Sequence, residues 1–297
     1  MTTERALLIV GHGTIVDLAD VPEFLRRIRR GRPASDELVA EIRRRYRAIR
    51  RSPLLDTTES LGRALETKLG MTTRVSMRFW DPLVENVVKD LVAGGVKELC
   101  VLPVAPFSVH VYADVVARAL GTPTDVKLVP VAPYGTDPAF ITAQVARVRP
   151  LLAGKDPAVT ELVLSAHSLP RAVIASGDPY QRLFEESARA IVSELGWDAK
   201  IVYQSQGADG GDWLGPTLDD ALVAARDGGK SIVVNAPVGF LADHVETLYD
   251  LDIEAAARAK DLGLVFERAP TLGDDAALVD VLANVVRRAF ASHDGPS

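Results

Sequence analysis

Two histidines stand directly after apolar runs, one early in each half of the chain. His12 follows ALLIVG, and His167 lies in ELVLSAHSLP. Imidazole titrates near neutrality, so such a residue can accept a proton or bind a divalent metal. A third segment, VVNAPVGFLADHVETLYDLDIE, supplies His244 and a row of carboxylates. If this segment enters a helix after Phe240, then Glu246, Asp250 and Glu254 stand at i, i+4 and i+8 along one face. Like charges at that spacing weaken a helix and ask for a compensating cation or for proton exchange. A solvated acidic face is the alternative reading. A fourth segment, FSVHVYAD, sets His110 close to Ser108, Tyr112 and Asp114. Taken singly, each histidine reads as a hydrogen-bonded structural residue. Together they offer nitrogen and oxygen donors suited to handling a metal or moving protons.

Those groups need strands to deliver them. Apolar, β-branched runs recur at 6–11, 74–79, 98–105 and 126–133, and again at 161–168, 200–206, 231–240 and 264–270. Near-continuous apolar strands alternating with amphipathic helices predict parallel sheets covered on both faces. Four strands per half predict two α/β domains, 1–155 and 156–297, joined near AGKDPAVTE (153–161), with the last helix packing back on the first domain. Each half carries an early histidine and a later strand ending in proline, which suggests an old duplication. In open parallel sheets, ligands lie beyond the carboxyl ends of the strands. One cleft collecting His12, His110, His167 and Glu246 is therefore expected. Ser35 or Asp36 should cap the helix SDELVAEIRRRYRAI, and Pro179 and Gly196 should bracket another. SHDGPS reads as a frayed tail.

The 297 residues are 47% hydrophobic and 25% charged, ordinary for a folded soluble protein. A net charge of −6 argues against nucleic-acid binding. RRIRRGRP and EIRRRYRAIRR nevertheless concentrate arginine in the first fifth of the chain. They are either solvated helix faces or a dock for anionic groups, since Arg pairs well with carboxylates. The single cysteine, Cys100, sits in an apolar run and reads as a core residue. It leaves no intrachain disulfide and no cysteine-ligated iron–sulfur cluster held by this chain alone. GHGT lacks the third glycine of a dinucleotide motif, and no P-loop follows, so nucleotide binding is a minor alternative. The N-terminal residues lack signal-peptide features, and no apolar run approaches the roughly 20 residues needed to span a bilayer. A cytoplasmic monomer is the expectation.

Several ordered segments resemble the ferrochelatases, especially the small soluble type from Gram-positive bacteria that acts on coproporphyrin III. They are RIRRGRP, RYRAI and SPL (between Arg26 and Leu54), SAHSLP, GDPY, QSQG with WLGP, and PVGFLADHVETLYDLD. The resemblance spans most of the chain. It implies two Rossmann-like domains with parallel four-stranded sheets and a macrocycle in the cleft between them. It also implies insertion of Fe²⁺, a substrate, with no cofactor required. The family's catalytic His and Glu fall on His167 and Glu246, and further acidic residues of a metal or proton path fall on Asp250 and Glu254. Arg29, Arg30, Arg45, Arg78, Ser108 and Trp213 fall on substrate-binding positions, Arg78 replacing a Lys. The chemistry suits these residues: metal insertion must strip water from the ion, bend the ring and remove two pyrrole protons. Two departures stand out. His12 replaces a Tyr, and HVYAD replaces part of a longer loop; both look like cobalt chelatases acting on sirohydrochlorin. His12 and His110 are therefore expected to help hold the metal. Coproporphyrin III is slightly favoured over protoporphyrin IX by the arginines and by the lack of a hydrophobic membrane-binding insertion. A sirohydrochlorin cobalt or iron chelatase and a non-catalytic tetrapyrrole-binding homologue remain as alternatives.

Overall fold

The computed structural model describes residues 4–207 and 211–294. The chain forms two compact units. One comprises the chain up to Tyr134 together with the segment from Gly273 onward, and the other runs from Gly135 to Leu272. The first contains β1 (Arg5–Gly11), α1 (Val21–Ile28), α2 (Asp36–Ile49), α3 (Leu54–Leu69), β2 (Thr72–Met77), α4 (Val84–Ala93), β3 (Glu98–Pro103), α5 (Val109–Leu120) and β4 (Lys127–Pro130). The second contains α6 (Pro138–Leu152), β5 (Thr160–His167), α7 (Arg171–Ala175), α8 (Tyr180–Leu195), β6 (Ala199–Gln204), α9 (Leu218–Asp227), β7 (Ile232–Ala236), α10 (Val245–Leu248), α11 (Ala256–Asp261) and β8 (Val265–Arg268). The last helix, α12 (Ala276–Asp294), belongs to the first unit.

Each unit holds a four-stranded parallel sheet, ordered β2-β1-β3-β4 in one and β6-β5-β7-β8 in the other. The first strand of each unit is interior, so β1 from Ala6 to Val10 is buried on both faces. This is why these strands read as unbroken apolar runs rather than alternating ones. In both sheets the order reverses at the first strand, which creates a switch point at the carboxyl edge between β1 and β3, and again between β5 and β7. His12 follows β1 and the 104–108 loop follows β3. His167 ends β5, and the 237–244 loop follows β7.

Ser35 is the N-cap of α2, its Oγ accepting from the Leu38 backbone N–H at 3.3 Å. Gly196 ends α8 in the left-handed region at φ 65°. The chain crosses between units at Tyr134, ahead of the expected junction. α6 packs on α8, with Arg149 donating to the Glu194 carbonyl at 3.0 Å. The 153–161 stretch is therefore the α6–β5 connection of the second unit. The tail also departs from expectation, because α12 continues through Ser292 to Asp294. Arg5 draws that end in, pairing with Asp294 at 2.6 Å and lying over the Phe290 ring. Residues 295–297 of the expected frayed tail lie outside the described residues. Among the described residues no helix is long and apolar enough to cross a membrane.

Candidate active site

In the second unit, the close approach of two strand ends assembles the most concentrated chemistry. A Cβ on Gly239 would fall 2.6 Å from Ala166 Cβ and 2.8 Å from Ala166 Cα, so only glycine lets the loop after β7 lie against β5. The Gly239 N–H donates to the Ser165 carbonyl at 3.1 Å across that contact. The exit of β5 is held from three sides. Ser168 N–H donates to Gln204 O (2.7 Å), Ser168 Oγ to Leu214 O (2.8 Å), and Tyr180 OH to His167 O (2.8 Å).

These supports bring His167 and Glu246 together. His167 Nδ1 lies against the Ser168 carbonyl oxygen. A carbonyl only accepts, so Nδ1 carries the proton and Nε2 is presented to Glu246 Oε1, 3.5 Å away. His244 Nε2 approaches the other oxygen, Oε2, at 3.3 Å. Its Nδ1 is buried without a hydrogen-bond partner among the described residues, which assigns the His244 proton to Nε2. The carboxylate is thus bracketed by two imidazoles. The His167 and Glu246 side chains remain 32% and 31% exposed, so the pair can be reached. Burial acts to depress the His167 pKa, but the Glu246 carboxylate, with the Ser168 carbonyl and Asp250, outweighs it and the pKa is raised. Burial acts to raise the Glu246 pKa, but His167 and His244 hold it well below the usual carboxylate range. The opposite shifts have one cause: each group favours the charged form of the other.

His244 stands two residues before Glu246, and residues two apart do not face each other on a helix. It is the N-cap of α10, in extended backbone at φ −158°, so its ring swings round to Glu246. Gln204 Nε2 donates to the Glu246 carbonyl at 3.2 Å, fixing the same turn from β6.

The carboxylate row beyond Glu246 is not a plain α-helix. Between α10 and α11 the chain makes a π turn over Asp250–Ala255, with Glu254 N–H donating to Tyr249 O five residues back at 2.9 Å. The i, i+4, i+8 expectation assumed α spacing throughout, and the wider turn changes the direction of Glu254. Such turns recur at functional sites. Asp250 accepts from Ser205 Oγ at 2.5 Å, and Ser205 itself sits at φ 58°. Glu254 is exposed. Arg268, at the end of β8, grips both ends of the segment. It makes two bonds to Asp252 (2.5 and 2.9 Å) and one to Asp243 (3.0 Å). Trp213 packs its ring over Gly207, where a Cβ would lie 2.6 Å from Cζ2.

In the first unit, His12 is exposed, with its ring edge-on to Phe79 at 4.8 Å. Gly13 of GHGT takes φ 118°, and a Cβ there would lie 3.0 Å from Trp80 N. Backbone geometry therefore accounts for this glycine without a nucleotide. Ser108 is the N-cap residue of α5, and His110 is half-buried in its first turn. Arg45 is half-buried and pairs with Glu41 at 2.7 Å. Hydrogen bonds from Arg44 and Arg45 bring the Glu41 pKa down to about 2. Arg29 follows α1, half-buried, and Arg30 is exposed at φ 56°. The Arg78 guanidinium lies over the rings of Phe79 (4.6 Å) and Tyr112 (5.8 Å). Arg78 also lines a cavity of about 590 Å³ together with Arg26, Arg27, Glu85 and Arg118. Among the described residues, no three His, Cys, Asp or Glu side chains form a preformed metal cage.

The ferrochelatase family model matches residues 4–290. The chain belongs to the ferrochelatase family. Ferrochelatases insert a metal ion into a porphyrin, a lyase reaction. The chain is 35% identical to the ferrochelatase of Herpetosiphon aurantiacus, over 96% of this chain and 99% of that protein. It is 34% identical to the coproporphyrin III ferrochelatase of Anoxybacillus flavithermus, over 94% of each. Among solved structures, SirB from Bacillus subtilis with Fe³⁺ shares the fold, with a TM-score of 0.64 at 15% identity over 98% of each chain. In this ferrochelatase the second unit joins His167 to Glu246 and adds His244. Gln204 and Ser205 lie in the QSQG motif but were given no role there, and Arg268 had no sequence signal because its partners lie far along the chain.

Proposed function

We propose that this ferrochelatase inserts Fe²⁺ into coproporphyrin III in haem synthesis, in preference to protoporphyrin IX. The observation that carries the chemistry is the Glu246 carboxylate bracketed by two imidazoles. A pyrrole nitrogen must give up its proton as the metal arrives. Neutral His167 takes that proton at Nε2, because Nδ1 is committed to the Ser168 carbonyl. Glu246 stabilises the imidazolium formed, and His244 holds the carboxylate in place. Asp250 and Glu254 continue the acidic path for protons or for the incoming metal, and His12 and His110 act as metal donors in the first unit. Arg29, Arg30, Arg45, Arg78, Ser108 and Trp213 bind the macrocycle and its propionates.

The preference for coproporphyrin III draws support from arginine. Coproporphyrin carries four propionates and protoporphyrin two, and Arg78 makes no ion pair among the described residues. The name of the Anoxybacillus relative points the same way. A sirohydrochlorin chelatase is the second reading, favoured by His12 and by HVYAD. Anaerobic insertion kinetics with Fe²⁺ test both, with coproporphyrin III, protoporphyrin IX and sirohydrochlorin offered separately. Fastest turnover of coproporphyrin III is expected. Turnover of sirohydrochlorin alone overturns the proposal, as does porphyrin binding without metallation.

A further inference from the structure

The cavity of the first unit holds more positive charge than its own carboxylates neutralise. Glu23 is shared by Arg26 (2.6 Å) and Arg27 (3.0 Å), so one anion serves two cations. Arg27 Nη1 is buried without a hydrogen-bond partner among the described residues. Arg78 and Arg118 line the same space from two elements, the end of β2 and the last turn of α5. Neither makes an ion pair among the described residues, nor does Glu85, the one carboxylate on that lining. Arg78 is half-buried, with its flat face covered by aromatic rings and its neighbours cationic. Burial acts to lower its pKa, Tyr112 offsets this in part, and Arg118 and Arg30 lower it further. Guanidinium groups that line one open space without a paired carboxylate are a repulsive arrangement that a bound anion relieves.

We propose that Arg118 joins Arg78 in a carboxylate-binding site at this cavity, which takes a propionate of the tetrapyrrole and helps select the more highly carboxylated porphyrin. The proposal rests on the porphyrin-binding reading above and adds to it a residue on α5. Arginine suits the task because its planar fork meets a carboxylate with two hydrogen bonds. Arg118 is exposed, so its replacement leaves the core intact.

The test compares wild type with R118A, R118K and R118E, each first shown to melt at the wild-type temperature. The KM for coproporphyrin III should rise about threefold to tenfold in R118A, and further in R118E, with kcat unchanged. R118K should recover part of the loss. Protoporphyrin IX should respond less, and a porphyrin of the same ring without carboxylates should not respond at all. A KM in R118E within twofold of wild type overturns the site, as does an equal loss for the carboxylate-free ring. Fluorescence titration without metal separates this from the activity. If wild type binds coproporphyrin III in an Arg118-dependent way but does not metallate it, the proposed function fails and the site stands. If it metallates coproporphyrin III and R118E is indifferent, the site fails and the function stands.

Discussion

Replacing Arg268 with methionine should loosen the segment that carries His244 and Glu246. The guanidinium is 12% exposed and makes three bonds of 2.5, 2.9 and 3.0 Å to Asp252 and Asp243. Methionine keeps the bulk and removes the charge, leaving two carboxylates unpaired. Breaking a fully buried pair costs about 3–5 kcal/mol. Here the aspartates are 26% and 37% exposed and regain water, so a cost of about 2 kcal/mol is expected. That corresponds to a fall in melting temperature of roughly 4–8 °C. Asp243 directly precedes His244, and Asp252 lies in the π turn, so the bracket around Glu246 loses its fixed ends. A tenfold lower kcat needs only about 1.4 kcal/mol of lost transition-state stabilisation, and the porphyrin KM should stay near wild type. The assay is insertion kinetics beside thermal unfolding, with R268K and the double variant R268M/D252N. Lysine keeps the charge but not the fork and should restore part of the kcat. Neutralising Asp252 should recover stability if the orphaned carboxylate is the cost. An R268M protein that melts early but turns over at the wild-type rate would refute the positioning argument, and unchanged melting would refute the energetic one.

The titration of the site gives a second prediction. His167 has a raised pKa and Glu246 a depressed one. Their contribution to stability is complete between about pH 4.3 and 6.5. It is lost as pH rises through the raised His167 value, and lost on the acid side as pH falls through the depressed Glu246 value. The neutral base therefore appears only above the ordinary imidazole range, so kcat should rise with pH along a limb lying above about 6.5. In E246Q the limb should move to lower pH; a limb that stays in place assigns the titration to another group. Gly239→Ala should destabilise by about 1–3 kcal/mol in urea unfolding, because its Cβ meets Ala166 backbone. An unchanged midpoint would mean that the loop relaxes freely. Burial pushes the Cys100 thiol up to about 12, so Ellman's reagent should label it only after denaturation. Rapid labelling of the native protein contradicts its buried placement.

The interior strands were legible because a strand buried on both faces writes an unbroken apolar run, as ALLIVG does, whereas the partly exposed edge strands β4 and β8 were legible from their β-branched residues between helical stretches. His167 and Glu246 were singled out in the sequence through their motifs. Their pairing was not, because it depends on a glycine at position 239 that lets two strand ends touch. The Glu246, Asp250, Glu254 spacing was read on α-helical period, and nothing in those residue types announces a π turn. Arg268 meets partners 16 and 25 positions away in the chain, beyond the reach of any local pattern. Nothing in the sequence singles out Arg118, and only the cavity gives it company. The junction was misplaced because Gly154 and Pro157 mark a loop equally well inside a unit as between units.

The membership of α12 in the first unit has a consequence for synthesis. Leu278, Leu282, Val286 and Phe290 are buried, and α12 packs on α3, β3 and β4. Residues of this kind each contribute about 1.5–3 kcal/mol when removed from water. On the ribosome the N-terminal sheet therefore waits for the last residues to emerge, while the unit from Gly135 to Leu272 is complete before them. A stalled or truncated chain lacking α12 carries the finished His167–Glu246 pair together with an unfinished sheet. Quality control would meet this protein by its first half, although the second is already folded.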